Sequence, residues 1–155
     1  MSLAPCAPVT PPATLDAALT AVRRSGLRAS SARRLVLAAL LTAGRPIAAE
    51  AIARGADGRV PCSDLGSVYR NLEALEQVGI VRRLTPGHGA ALYALAPAPG
   101  SGYVACECCH EVTVASPKAL ASVRVAARTA LGYEVSFAHV PLVGLCRSCA
   151  PGTGG

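Results

Sequence analysis

Two Cys-x-x-Cys motifs constrain this chain more than any other feature. Cys106 and Cys109 form the first motif, and Cys146 and Cys149 form the second, with 36 residues between the two motifs. Four thiolates complete a tetrahedral zinc shell with no open position, which is typical of a structural site. Two disulfides or a redox Cys-x-x-Cys are the alternatives. Disulfides are rare in the cytoplasm, and the sequence lacks the βαβ pattern of a thioredoxin. We therefore predict one structural Zn²⁺ per chain, which clips the C-terminal end back onto the strand that precedes the first motif.

The charge balance indicates a polyanionic partner. Among 155 residues, 15 Lys and Arg stand against 9 Asp and Glu, which gives a net charge of +6. Nucleic acid and an anionic membrane surface both fit that charge. The longest uncharged window, 84–106, is interrupted by Pro and Gly, and the apolar run 35–41 is too short to span a bilayer. Since residues 1–12 also lack the pattern of a secretory signal, we expect a cytoplasmic protein with no membrane partner.

The N-terminal half reads as a helical domain with a wing. After a loose tail over 1–14, four segments show helical apolar spacing, and a hairpin with strands at 80–84 and 91–95 follows them. The predicted helices are Leu15 to Gly26, Ser30 to Gly44, Ile47 to Ala53 and Ser63 to Gly79. This order is typical of a winged helix-turn-helix, which we place at 15–95. In such a fold the last helix enters the major groove of DNA.

The fourth predicted helix has two unlike faces. Its apolar residues recur at spacings of three and four, so one face packs against the domain. Arg70 lies opposite that stripe, and Ser67 and Tyr69 lie on its flanks. An ordinary solvated face is the alternative for an isolated helix, but the wing that follows favours a DNA-binding helix.

The C-terminal half predicts a small α+β module. Residues 96–102 are rich in Pro, Gly and Ala and read as a hinge, followed by a zinc-stapled dimerisation domain at 103–150. We expect strands at 103–105, 111–114 and 133–140, with a helix at 117–131 between the last two. A module of this size has little core and needs a metal or a second copy to be stable. The predicted fold class is therefore α+β, an N-terminal winged helix-turn-helix followed by a small α/β dimerisation module with a four-cysteine zinc site.

These motifs together resemble the ferric uptake regulator family over roughly residues 15–150. Gly26-Leu27-Arg28 with the segment 33–37 looks like the family's opening, and Ser67-Val68-Tyr69-Arg70-Asn71-Leu72 is close to its TVYRxL recognition helix. The hairpin ending at Tyr93 and the two Cys-x-x-Cys pairs continue the match.

The resemblance implies a dimeric, metal-dependent transcriptional regulator, usually a repressor, that binds double-stranded palindromic operator DNA. It also implies that the C-terminal module pairs two subunits. Tyr69 and Arg70 match positions that touch DNA in the family, and Ser67 belongs to the same motif. Arg28 matches a basic residue that approaches the minor groove.

The sequence departs from the family where the sensed metal is bound. Relatives carry a His-rich stretch before the first Cys-x-x-Cys, whereas residues 100–105 here contain no ligand, and the acidic position after the wing is Ala94. His139 is shifted by one residue from a family ligand position. As a replacement we predict a regulatory zinc site formed by Cys62 with one or more of three other residues, which are His88, Cys108 and His110.

Three other functions are weighed against zinc sensing. Surplus thiols at Cys62 and Cys108 fit a redox or haem sensor on the same fold, and the missing histidines fit a metal-independent DNA-binding paralogue. Catalysis is not expected, because a catalytic zinc needs an open position and Cys109-His110-Glu111 lacks the spacing of a zinc deaminase.

Overall fold

The computed structural model describes residues 12–87, 89–137 and 140–151 and contains two three-stranded sheets. The N-terminal sheet has the order β1-β3-β2 and the C-terminal sheet the order β5-β4-β6. Within the described ranges no helix is both long and apolar enough to cross a bilayer. In chain order the elements are α1 (Leu15–Arg24), α2 (Ser31–Ala43), β1 (Ile47–Ala48), α3 (Ala49–Ala53), α4 (Gly55–Gly58), α5 (Leu65–Gln77), β2 (Val81–Leu84), β3 (Leu92–Leu95), β4 (Gly102–Cys106), β5 (Val112–Ala115), α6 (Pro117–Leu131) and β6 (Leu142–Gly144).

The first two helices begin and end where the sequence places them. Thr14 and Ser30 cap α1 and α2 by accepting hydrogen bonds from backbone N–H groups in the first turn. Gly44 ends α2 in the left-handed conformation (φ 63°), which glycine adopts without the steric cost of a Cβ atom. The apolar faces of α1, α2, α3 and α5 then form one core, against which one face of the wing packs.

The third predicted helix is partly wrong. Ile47 and Ala48 form the short strand β1, which pairs antiparallel with Tyr93 and Leu92 of β3. Only Ala49–Ala53 is helical. Two strand residues are too few to show the period-two alternation that identifies a strand. The wing is therefore a three-stranded sheet rather than an isolated hairpin.

In the C-terminal module α6 is confirmed over Pro117–Leu131, with Ser116 as its N-cap and Gly132 at its end. The predicted strand at 133–140 is wrong over the residues that the structure describes there, because 133–137 and Val140 form no strand. The last strand is instead Leu142–Gly144, which pairs parallel with β4. The predicted hinge also ends early, since Ser101 is buried and Gly102 already belongs to β4.

The two faces of the C-terminal sheet contact different parts of the protein. Gly102 lies on the α6 side, where an added Cβ would come within 2.5 Å of Cβ of Phe137 and 3.0 Å of Leu120 Cδ1. Tyr103 and Ala105 lie on the opposite face because side chains alternate along a strand. There they pack against the wing, in an apolar cluster that joins the two halves. The junction cluster consists of Leu84, Leu92, Ala94, Tyr103, Ala105 and Val112.

Candidate metal centre and nucleic-acid interface

The four cysteines of the two motifs come together at one end of the C-terminal sheet. Their Sγ atoms all lie within 4.8 Å of one another, and those of Cys109 and Cys146 are 3.9 Å apart. A disulfide bond would be about 2.05 Å long. A tetrahedral shell with Zn–S bonds of about 2.3 Å places its sulfurs about 3.8 Å apart. The cluster therefore has the dimensions and the donor set of a zinc site.

Backbone N–H groups around the cluster stabilise the thiolate form that binds a cation. The N–H of Cys146 donates to Sγ of Cys106 at 3.4 Å. Backbone N–H donors at Cys146 and Cys109 lower the pKa of Cys106 to about 6, because they stabilise its thiolate. Side-chain hydrogen bonds with Cys146 and Cys108 raise the pKa of Cys149, because they favour its protonated form. All four thiols become thiolates together only when a cation neutralises them.

Hydrogen bonds hold the first motif as a tight turn. The N–H of His110 donates to the carbonyl of Cys106 at 3.0 Å, and the N–H of Glu107 donates to the carbonyl of Gly144 at 2.9 Å. His110 adopts a left-handed conformation (φ 60°) that closes the turn. The bond from Glu107 connects the first motif to β6, two residues before Cys146. This bond therefore ties the first motif to the strand that leads into the second motif.

The helix α5 presents the polar face that the sequence predicts. Asp64 caps it by accepting from the N–H of Ser67 at 2.8 Å, while Val68, Leu72 and Leu75 are buried. Tyr69 is 45% exposed, and Arg70 is exposed beside it. The guanidinium of Arg70 lies close to Gly66, since its Nη1 would be in ordinary contact, at 3.5 Å, with a Cβ added there.

The other two residues predicted to bind DNA have different surroundings. Ser67 is half-buried, and both its carbonyl and its hydroxyl accept from the amide of Asn71. Arg28 is exposed just before α2, and its carbonyl accepts from Nη1 of Arg33 at 2.6 Å. That bond fixes the backbone of Arg28 while leaving its side chain at the surface.

The structure also reveals a residue that the sequence analysis missed. Glu50 on α3 accepts a hydrogen bond from the phenol of Tyr69 at 3.2 Å. Desolvation and the carboxylate of Glu50 raise the pKa of Tyr69 above its ordinary value. The contact joins positions 19 residues apart, and no local pattern signals such a pairing.

The predicted regulatory residues do not form a second cluster within 12–87, 89–137 and 140–151. In those ranges the four-cysteine centre is the sole group of three or more His, Cys, Asp or Glu side chains close enough to share a metal. Cys62 is exposed in the loop before α5, and Cys108 is exposed beside the four-cysteine centre. His110 lines a cavity of about 560 Å³ together with Gly87 and Gly89 of the wing turn, and Cys62 does not line it. His88 and His139 lie outside the described residues.

A winged helix-turn-helix joined to a small module with four clustered cysteines defines a class of DNA-binding transcriptional regulators. Residues 24–141 match the model of the ferric uptake regulator family, and the chain belongs to that family. The family and the matched relatives are transcriptional regulators rather than enzymes.

Similar proteins extend over most of the chain. The peroxide operon regulator of Bacillus subtilis is 24% identical over 136 residues, which cover 88% of this chain and 93% of that protein. The ferric uptake regulator of Helicobacter pylori has a similar structure, with a TM-score of 0.62 at 21% identity, covering 90% of this chain and 96% of that one. The Pseudomonas aeruginosa ferric uptake regulator, solved with manganese, gives a TM-score of 0.62 at 24% identity, with 83% and 96% covered. These structural similarities establish the fold.

Proposed function

We propose that this protein is a homodimeric transcriptional repressor that binds a palindromic operator through α5. The single observation that carries the proposal is the polar face of α5, where Tyr69 and Arg70 are exposed opposite a buried apolar stripe. An Arg side chain on a groove-entering helix recognises guanine through two hydrogen bonds. The net charge of +6 favours association with the phosphate backbone.

Exposed apolar side chains support the assignment of the C-terminal module as the dimer interface. Most of the large hydrophobic residues at the surface of the described ranges belong to this module, and Tyr133 and Leu131 are exposed by 70% and 69%. An apolar surface of this kind marks an interface. A second copy of the chain is the occupant that a palindromic operator requires, because two-fold symmetry in the protein mirrors that of the DNA. The exposed apolar residues of the module are Val114, Val123, Val125, Leu131, Tyr133, Val140, Val143 and Leu145.

Zinc in the four-cysteine centre is the cofactor that fits the residues. Cys106, Cys109, Cys146 and Cys149 would hold it, and soft thiolate ligands favour zinc over manganese. The bound cation supplies the charge that keeps all four sulfurs ionised. Its role is to hold the C-terminal end of the module in place, since four protein ligands leave no position for a substrate.

Replacing Arg70 by Ala is expected to lower affinity for the operator roughly 10- to 100-fold, because one base-reading contact is lost. Binding sites are first selected from a random DNA pool with the wild-type protein. Fluorescence anisotropy then measures the affinity of each variant for the selected duplex. Lys118→Ala is the control, since it removes an exposed positive charge from α6. Equal losses in the two variants would contradict a specific role for Arg70.

One observation favours metal-independent DNA binding over the zinc response that the sequence predicts. The two halves meet through the junction cluster, in which Tyr103 is fully buried and donates a hydrogen bond from its phenol to the carbonyl of Leu95 at 3.3 Å. Ala94, at the family's acidic position, is one of its buried members. Packed apolar side chains join the wing to the C-terminal sheet at this cluster.

The variant Cys62→Ser distinguishes these two candidates. Metal-independent binding predicts that it binds the selected duplex as the wild type does, with or without added zinc. The zinc-responsive candidate predicts that wild-type affinity rises with added zinc and that Cys62→Ser loses this rise. Anisotropy titrations at increasing free zinc, with the four-cysteine centre already filled, measure both outcomes.

A further inference from the structure

We propose that Glu50 is a specificity-determining residue, which sets the hydrogen-bonding character of Tyr69 toward the bases. The inference rests on the proposed DNA binding by α5 and deepens it. Glu50 lies on α3, outside the predicted recognition helix, and its carboxylate is 3.2 Å from the phenolic oxygen of Tyr69. Both residues are exposed, so the pair lies on the surface that would face DNA.

The hydrogen bond uses the only proton that the phenol has to donate. An ionised carboxylate has no proton of its own and acts only as an acceptor. The phenolic oxygen of Tyr69 therefore faces the DNA as an acceptor as well. In the major groove the available base donors are the amino groups of cytosine and adenine, whereas guanine and thymine present acceptors there. The pair thus favours a cytosine or an adenine at the base that Tyr69 reaches.

A positive charge on the wing also acts on Tyr69. Desolvation raises the pKa of both Tyr69 and Tyr93, and the positive charge of Arg83 on β2 partly opposes that rise in each. The phenol therefore feels opposite charges from Glu50 on α3, which it contacts, and from Arg83 on the wing. The carboxylate also repels DNA phosphates at every site, and only a site with a matching base donor offsets that cost. Glu50 therefore lowers affinity for non-specific DNA while it favours a correct site.

The test measures the base preferences of the wild type and of Glu50→Ala. The duplexes are variants of the selected site in which one position at a time carries each of the four bases. We expect the wild type to prefer adenine or cytosine at one position in each half-site by about five- to tenfold. In Glu50→Ala the phenol is free to donate, so that preference falls to about twofold or less. Affinity for non-specific DNA rises in the same variant.

Two further variants separate this role from a structural one. In Glu50→Gln the amide oxygen still accepts the phenolic proton, so base preference is kept while non-specific affinity rises through the lost charge. In a Tyr69→Phe background, Glu50→Ala causes no further loss of preference, because the two residues act as one unit. The inference about Glu50 is wrong if Glu50→Ala leaves the base preference unchanged. It is also wrong if Glu50→Ala lowers the preference equally in the wild-type and Tyr69→Phe backgrounds. Neither result affects the proposed DNA binding by α5. A wild-type protein that selects no DNA site overturns the proposed function together with it.

Discussion

Replacing Cys106 by Ser is expected to abolish zinc binding and, with it, both dimer formation and operator binding. A four-cysteine zinc site contributes about 10–16 kcal/mol of apparent binding free energy, which is also folding free energy for the module that holds it. Cys106 is the buried member of the centre and ends β4, so its loss releases the C-terminal end from the sheet. Zinc content by mass spectrometry and molar mass by light scattering measure the two losses.

The matched control for this experiment is Cys108→Ser, two residues away in the same turn. Cys108 is exposed and does not belong to the group of four sulfurs within 4.8 Å of one another. This variant is expected to keep one zinc per chain and the molar mass of a dimer. If Cys108→Ser lost its zinc while Cys106→Ser kept it, the assignment of the ligands would be wrong.

Replacing Tyr103 by Ala is expected to lower the free energy of unfolding by about 3–5 kcal/mol, because it leaves a cavity in a fully buried position. The cavity would lie in the junction cluster, so the wing and the C-terminal sheet would also lose their fixed orientation. We therefore expect weaker operator binding in the fraction that stays folded. Urea denaturation at a fixed protein concentration, followed by circular dichroism, measures the stability.

Tyr103→Phe is the conservative partner of that variant. It keeps the ring in the cluster and removes only the hydrogen bond from the phenol to the carbonyl of Leu95, so a loss of about 1 kcal/mol is expected. Burial raises the pKa of Tyr103 to about 12, so the phenol of the wild-type reference stays neutral at ordinary pH. Similar losses in the Ala and Phe variants would show that the ring itself does not hold the halves together.

The sequence predicts most of the fold because its signals are local. The caps at Ser30, Asp64 and Ser116 and the left-handed glycines at 44 and 132 mark helix ends directly. The four cysteine ligands are equally visible because two short spacings repeat. The strands are harder to predict. β1 is only two residues long and β6 only three, and each is defined by a partner distant in the sequence.

The junction between the halves shows what local patterns do not reveal. Ala94, Tyr103 and Ala105 lie at or within segments where relatives in the family carry metal ligands. The structure shows that the same residues pack together. The bond from Tyr69 to Glu50 depends in the same way on how α3 crosses α5, which only the three-dimensional packing determines.

The most direct test of metal-independent DNA binding is the affinity of the wild-type protein for its selected duplex, measured when each chain holds one zinc and again after excess zinc is added. We expect tight, sequence-specific binding at one zinc per chain and no change on further addition, because the junction cluster already fixes the two halves. Binding that begins only with a second zinc would contradict it and would favour a regulatory site around Cys62. A protein that selects no sequence at either zinc level would contradict DNA recognition by α5 itself.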